Sequence, residues 1–197
     1  MLAVAAGSEQ LTRAMRALEA AFLIGVEGVT EIWLVRHADC YQDLVDTIDP
    51  GLSTLGRDQA RRLAERVKRA RPSAIYSSPY RRAVETAHEI SDDVRIDDRL
   101  VEIPIEVGED GSFDLREPPT GVVERMRAVV AEIASQHAGQ RVVVVSHGAA
   151  IVAYLTDVLR LEPGRLRMLP YYTSISVVRA IGERRMVGTL GDTGHLE

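Results

Sequence analysis

RVVVVSHGAAI (residues 141–151) runs four consecutive valines into a serine, a histidine and a glycine. The run is too uniformly apolar for a strand with one wet face, and its β-branched side chains favour extended backbone. It predicts a strand over 141–146, covered on both faces, and a helix over 149–159. A strand of that kind belongs to a parallel sheet flanked by helices.

Working outward, EIWLV (31–35) reads as a second buried strand. Leu55, Ala60, Leu63, Ala64 and Val67 recur at helical spacing over 54–69, and Pro72 ends that element. A short strand at 74–76 leads into a helix over 79–90, with Pro79 suited to its first turn. Residues 91–120 are acidic, interrupted by Pro104, Pro118 and Pro119, and lack a period, which predicts a long loop with short strand fragments, of the kind that lines a site. Val122, Val123, Met126, Val129, Val130 and Ile133 mark one face of a helix over 121–137, and strands at 174–179 and 186–190 close the chain. Alternating strands and helices predict an α/β fold, a three-layer α/β/α sandwich with a mostly parallel central sheet.

Ahead of the first strand, Leu11, Met15, Leu18, Phe22 and Leu23 form an apolar stripe over 8–24, with Ser8 as N-cap and Gly25 as stop. The favoured reading is a lid packed on the domain, and the alternative is the contact of a homodimer. The expected organisation is therefore a helical extension over 1–28 and one domain over 29–197, a length that suits a single core.

The net charge of −5 argues against nucleic acid or an anionic membrane as partner, since either calls for a basic surface. Cys40 is the only cysteine, so no internal disulfide forms. No apolar run reaches the roughly 18 residues that span a bilayer. The opening MLAVAAG lacks the basic start of a secretory leader, and the reading is cytoplasmic.

In α/β sheets, ligands bind beyond the carboxyl ends of the strands. Arg36 and His37 follow the strand at 31–35, His147 follows the strand at 141–146, and Ser77, Ser78 and then Arg82 follow the strand at 74–76. Two imidazoles and two guanidiniums gathered at one sheet edge suit a phosphoryl group, because arginine offers a rigid fork of donors matched to its oxygens. An imidazole beside cations stays neutral and keeps a lone pair free for attack on phosphorus. The neighbouring arginines disfavour a metal ion between His37 and His147, and neither a P-loop nor a dinucleotide fingerprint is present, so no metal or cofactor is expected. His195 in the tail reads as a surface or pocket-rim residue.

LVRHAD (34–39), LSTLGRDQA (52–60), IYSSPYRRAVETA (75–87), LVE (100–102) and VVVVSHGAAI (142–151) together resemble the histidine phosphatase superfamily, the phosphoglycerate mutase-like family, in its order along the chain. The resemblance implies a phosphoglycerate mutase-like fold over 29–197 and a phosphatase that hydrolyses a small phosphorylated metabolite through a phosphohistidine intermediate. It makes His37 the nucleophile, Arg36 and Arg82 the phosphate arginines, His147 the second pocket histidine and Glu102 the proton donor. Arg81 reads as a solvated neighbour, and Asp43 and Ser78 as pocket rim. A proton donor is needed because an alkoxide leaves poorly.

Three departures accompany the resemblance. Ala38 stands where the family usually has glycine, Asp43 where many members have asparagine, and IPIEVGED (103–110) lacks the usual glycine-aromatic-glutamate-glycine pattern. A phosphoglycerate mutase-type phosphoryl transferase and an inactive relative that binds a phosphorylated ligand are the alternatives.

Overall fold

The structure, a computed structural model, describes residues 2–41, 49–107, 113–115 and 117–197. Asp43 lies outside the described residues. The described elements are α1 (Leu2–Ala21), β1 (Thr30–Arg36), α2 (Thr54–Ala70), β2 (Ala74–Ser77), α3 (Arg81–Ile90), β3 (Arg95–Ile96), β4 (Ile105–Val107), β5 (Phe113–Leu115), α4 (Pro119–Gln136), β6 (Arg141–Ser146), α5 (Gly148–Val158), β7 (Ile175–Ile181) and β8 (Arg184–Asp192), with a 3-10 turn at Asp98–Leu100. The main sheet runs β3-β2-β6-β1-β7-β8, and β4 with β5 forms a small separate hairpin.

The valines of β6 explain the layering. Val142 and Val144 pack with Ile32 and Leu34 of β1 against Met126 and Val130 of α4 and Ile151 and Leu155 of α5. Val143 and Val145 face the other way, onto Leu63 and Val67 of α2 and Ala83 and Ala87 of α3. Successive side chains alternate across a strand, so a central strand buried on both faces must be apolar at every position.

β1, β2, β3 and β6 pair in parallel, whereas β7 pairs antiparallel with β1 and β8 antiparallel with β7. The antiparallel edge comes from a two-residue hairpin at Gly182 and Glu183, with Gly182 at φ +52°.

Two local expectations are corrected. The helix expected from Pro79 begins at Arg81, because the Ser78 hydroxyl accepts from Tyr80 N–H at 3.3 Å, holding the chain extended, while Asp49 Oδ2 accepts from Arg81 N–H at 2.9 Å. The first helix begins at Leu2, six residues before the expected Ser8 cap, so Ser8 lies inside it.

The lid reading of α1 is also overturned. Leu11, Met15, Leu18 and Phe22 are exposed, so among the described residues these side chains are not covered. Its C-terminal end is tied down: Leu23 is buried with φ +57°, and Arg184 Nη2 donates to the Ala21 carbonyl at 2.9 Å. Among the described residues, no helix is long and apolar enough to cross a membrane.

Candidate active site

Register brings the predicted residues together. Arg36 lies opposite Ser146, and Ser77 opposite Val145, so β1, β6 and β2 end side by side. The pairing continues one step past the strands: His37 N–H donates to Ser146 O at 2.9 Å and Ser78 N–H to Val145 O at 3.0 Å. His37, His147 and Ser78 are therefore neighbours, with the two imidazole centroids 5.2 Å apart.

His37 is buried, and its Nδ1 lies 2.8 Å from the carbonyl oxygen of Ala38. A carbonyl only accepts, so Nδ1 carries the proton and the Nε2 lone pair is free. Arg82 Nε donates to that Nε2 at 3.3 Å, which agrees with the assignment. Burial first, then the charges of Arg82 and Arg36, lower the His37 pKa to about 3, against the hydrogen bond to Ala38. The imidazole is thus neutral at physiological pH.

His147 is fully buried, with Nε2 2.8 Å from the Ser78 hydroxyl. Ser78 is buried and its hydroxyl meets no other acceptor among the described residues, so it donates to Nε2 and leaves the proton of His147 on Nδ1. Burial, followed by His37 and Arg82, holds the His147 pKa well below its ordinary value.

Among the described residues, His147 Nδ1 and Arg36 Nε are both buried without a hydrogen-bond partner. Orphaned buried donors are costly and uncommon. Two of them in one cluster form a cradle for an anion. The rest of Arg36 is fixed: Nη1 donates to Pro170 O at 2.8 Å and the guanidinium stacks 4.1 Å from the Tyr172 ring centre. Arg82 stacks 4.8 Å from the Tyr80 ring centre and reaches Asp49 Oδ1 through Nη1 at 3.4 Å.

The loop carrying His37 is clamped to α2. Ser53 caps that helix by accepting from Gly56 N–H at 2.9 Å, and its hydroxyl donates to Asp39 Oδ1 at 2.6 Å. Gln59 Oε1 accepts from Asp39 N–H at 2.9 Å. A Cβ on Gly56 would sit 1.9 Å from the Asp39 carbonyl oxygen, so glycine is required there for close approach. Ala38 does not have positive φ, and its methyl packs in a small cluster with Leu52 and Ala60. The departure from glycine at this position is accommodated, with Thr86 Oγ1 accepting from Ala38 N–H at 3.0 Å.

Glu102 reaches the start of α5. Its Oε1 accepts from Ile103 N–H and Ala150 N–H, both at 2.9 Å, and Oε2 from Ala149 N–H at 3.2 Å. The segment before it is anchored by the Ser146 hydroxyl, which donates to Leu100 O at 2.8 Å. Arg81 points away from the cluster, exposed and paired with Glu85 at 2.6 Å. His195 is half-buried one layer behind: its Nε2 lies 3.0 Å from Thr173 Oγ1, and Thr173 N–H donates to Arg36 O at 2.9 Å. Thr173 holds φ +58°, a strained value for a β-branched residue, in support of the Arg36 backbone.

Sequence reasoning missed Tyr80, Tyr172 and Asp49. Tyr80 stood inside a recognisable motif, whereas Tyr172 comes from an aperiodic loop that carries no local signal.

The model of the histidine phosphatase superfamily (branch 1) matches residues 32–114 and 106–193. The chain belongs to that superfamily. It is 30% identical to phosphoserine phosphatase 1 of Hydrogenobacter thermophilus over 203 residues, covering 85% of this chain and 95% of that protein. It is 28% identical to a metal-independent phosphoserine phosphatase of Arabidopsis thaliana over 204 residues, 85% of this chain and 84% of that one. Its fold matches the phosphoserine phosphatase of Entamoeba histolytica solved with 3-phosphoglyceric acid, with a TM-score of 0.74 at 24% identity, over 85% of this chain and all of the other.

Proposed function

We propose that this chain, a phosphoric monoester hydrolase of the histidine phosphatase superfamily, cleaves small phosphomonoesters by attack of His37 Nε2 on phosphorus. The observation that carries the reading is the tautomer: Nδ1 is bound to Ala38 O and the Nε2 lone pair faces Arg82. Arg36 Nε and His147 Nδ1 supply two further donors for the phosphoryl oxygens, so negative charge is met by groups already in place. The Nε2–P bond forms as the P–O bond to the alcohol breaks. Glu102 delivers a proton to the departing oxygen from Oε2, the oxygen with one hydrogen bond against two on Oε1. Water then attacks the phosphohistidine, gives its proton to Glu102 and releases phosphate.

Catalysis is assigned to residues from about 29 onward, with α1 as an extension. The exposure of Leu11, Met15, Leu18 and Phe22 supports the alternative reading of that helix, the contact of a homodimer.

The test is hydrolysis of p-nitrophenyl phosphate over pH 5 to 8 with and without EDTA, beside His37→Ala. Turnover that survives EDTA and is lost in the variant supports the proposal, as does acid-labile, base-stable phosphate on His37 after rapid quenching. An active enzyme that never carries that label refutes the covalent route. Phosphoryl transfer between hydroxyls of a phosphoglycerate faster than phosphate release would make the chain a mutase.

A further inference from the structure

Beside the phosphoryl cradle, between α4, α5 and the loop at 161–169, lies a cavity of about 540 Å³. Its wall is largely apolar, formed by Ile103, Val123, Val152, Ala153, Leu166 and Leu169 among others. It follows α5 from Ala149 to Asp157, a run of about 12 Å at the helical rise per residue. The groove is continuous with the site. Ala149 and Ile103 line it and are two of the three residues whose N–H groups hold Glu102. A Cβ on Gly148 would meet Leu169 Cδ1 of the groove at 3.0 Å and Arg36 Nε of the cradle at 3.4 Å, so only the missing side chain of Gly148 separates the two.

The groove is poorly suited to a charged alcohol such as serine or glycerate. Arg127, the one arginine among the described lining residues, is already paired with Asp157 through Nε at 2.7 Å, and Glu124 would repel a carboxylate. Leu161 and Leu169 on its rim are exposed apolar side chains that an apolar ligand would cover.

We infer that this groove binds the leaving group, and that the preferred substrates are phosphomonoesters of elongated apolar alcohols. The inference rests on the phosphatase reading for its chemistry, but binding alone tests it. Methyl-, butyl- and octylphosphonate, which are not hydrolysed, are titrated calorimetrically into the full chain. Complete burial of a methylene is worth about fourfold in affinity, and a groove open on one side about half that. Affinity therefore rises about twofold per methylene, on the order of a hundredfold from methyl to octyl. Val152→Glu, or the loop substitution Leu169→Ser, flattens the series.

A flat series in the unaltered protein overturns the inference, and so does a slope that neither variant changes. Should Val152→Glu instead dissociate a dimer while the slope persists, the groove belongs to a second copy of the chain and the inference falls. Hydrolysis of p-nitrophenyl phosphate separates the two proposals: turnover with a flat series removes the groove alone, and a steep series without turnover removes the phosphatase reading alone.

Discussion

Arg82 Nε donates to His37 Nε2 at 3.3 Å, the nitrogen left unprotonated by the bond from Nδ1 to Ala38 O. One arginine thus marks the free lone pair, and in the proposed mechanism it stands where phosphoryl oxygens arrive. Its substitution separates charge from geometry. Arg82→Lys keeps the charge but loses the rigid fork and the stacking on Tyr80. Loss of one prearranged donor to a developing anion costs about 10² to 10³ in rate, so kcat/KM for p-nitrophenyl phosphate falls about a hundredfold in the variant. A loss under threefold would show that Arg82 does not hold the phosphoryl group.

The observed contacts of Glu102 and its proposed role as proton donor can be divided by a pair of variants. As an acceptor for the first N–H groups of α5 it acts as a cap, and Glu102→Ala lowers stability by about 1 kcal/mol in denaturant melts. Glu102→Gln retains an acceptor oxygen but no transferable proton. Its kcat falls about 10²-fold or more for alkyl phosphates and far less for p-nitrophenyl phosphate, whose phenolate leaves unaided. Equal losses for both esters would remove Glu102 as proton donor.

Gly56 tests the clamp on the His37 loop. Gly56→Ala drives a methyl into the Asp39 carbonyl oxygen, a backbone atom that moves only if the loop moves. Helix propensity alone would make this substitution stabilising by about 1 kcal/mol. The expected result is the opposite sign, a loss of about 1–3 kcal/mol as for other overpacked sites, together with reduced kcat. Chemical denaturation and initial rates measure both.

The buried histidines make stability depend on pH. The His37 pKa falls from 6.5 to about 3 on folding, mainly by burial, and His147 shifts in the same direction. Below pH 6.5 the unfolded chain binds protons that the folded chain refuses, so stability is fully present above that value and is lost as pH falls toward 3. Each histidine contributes a slope of up to about 1.4 kcal/mol per pH unit in that window. Urea melts at pH 7, 6 and 5 should show the decline, and His37→Asn should make it shallower.

The stripe on α1 yields a prediction about association. Sedimentation of the full chain is expected to give a dimer, and Leu18→Glu, at an exposed position, to shift it to monomer without loss of p-nitrophenyl phosphate turnover. A monomeric parent protein would exclude the dimer reading.

The layered α/β fold was legible because its causes are local. Val142 to Val145 can satisfy both faces of β6 only inside a sheet covered twice, and the helices declare themselves by the spacing of residues such as Leu63 and Val67. Arg36, His37, His147 and Arg82 were legible because side chains that follow parallel strands must share an edge. What escaped was everything set by contacts remote in sequence. Tyr172 beneath Arg36, Asp49 beside Arg82 and the groove beside Gly148 depend on how aperiodic loops fold back, and no local pattern encodes that. The same holds for α1, whose stripe is visible in the sequence while its exposure is not. Sequence by itself determined the sheet and which histidines and arginines gather at its edge, since periodicity and strand-end position are properties of the chain. Only the tertiary structure decided which nitrogen of His37 is free and where Glu102 and the apolar groove lie, because those follow from distances between segments that the backbone brings together.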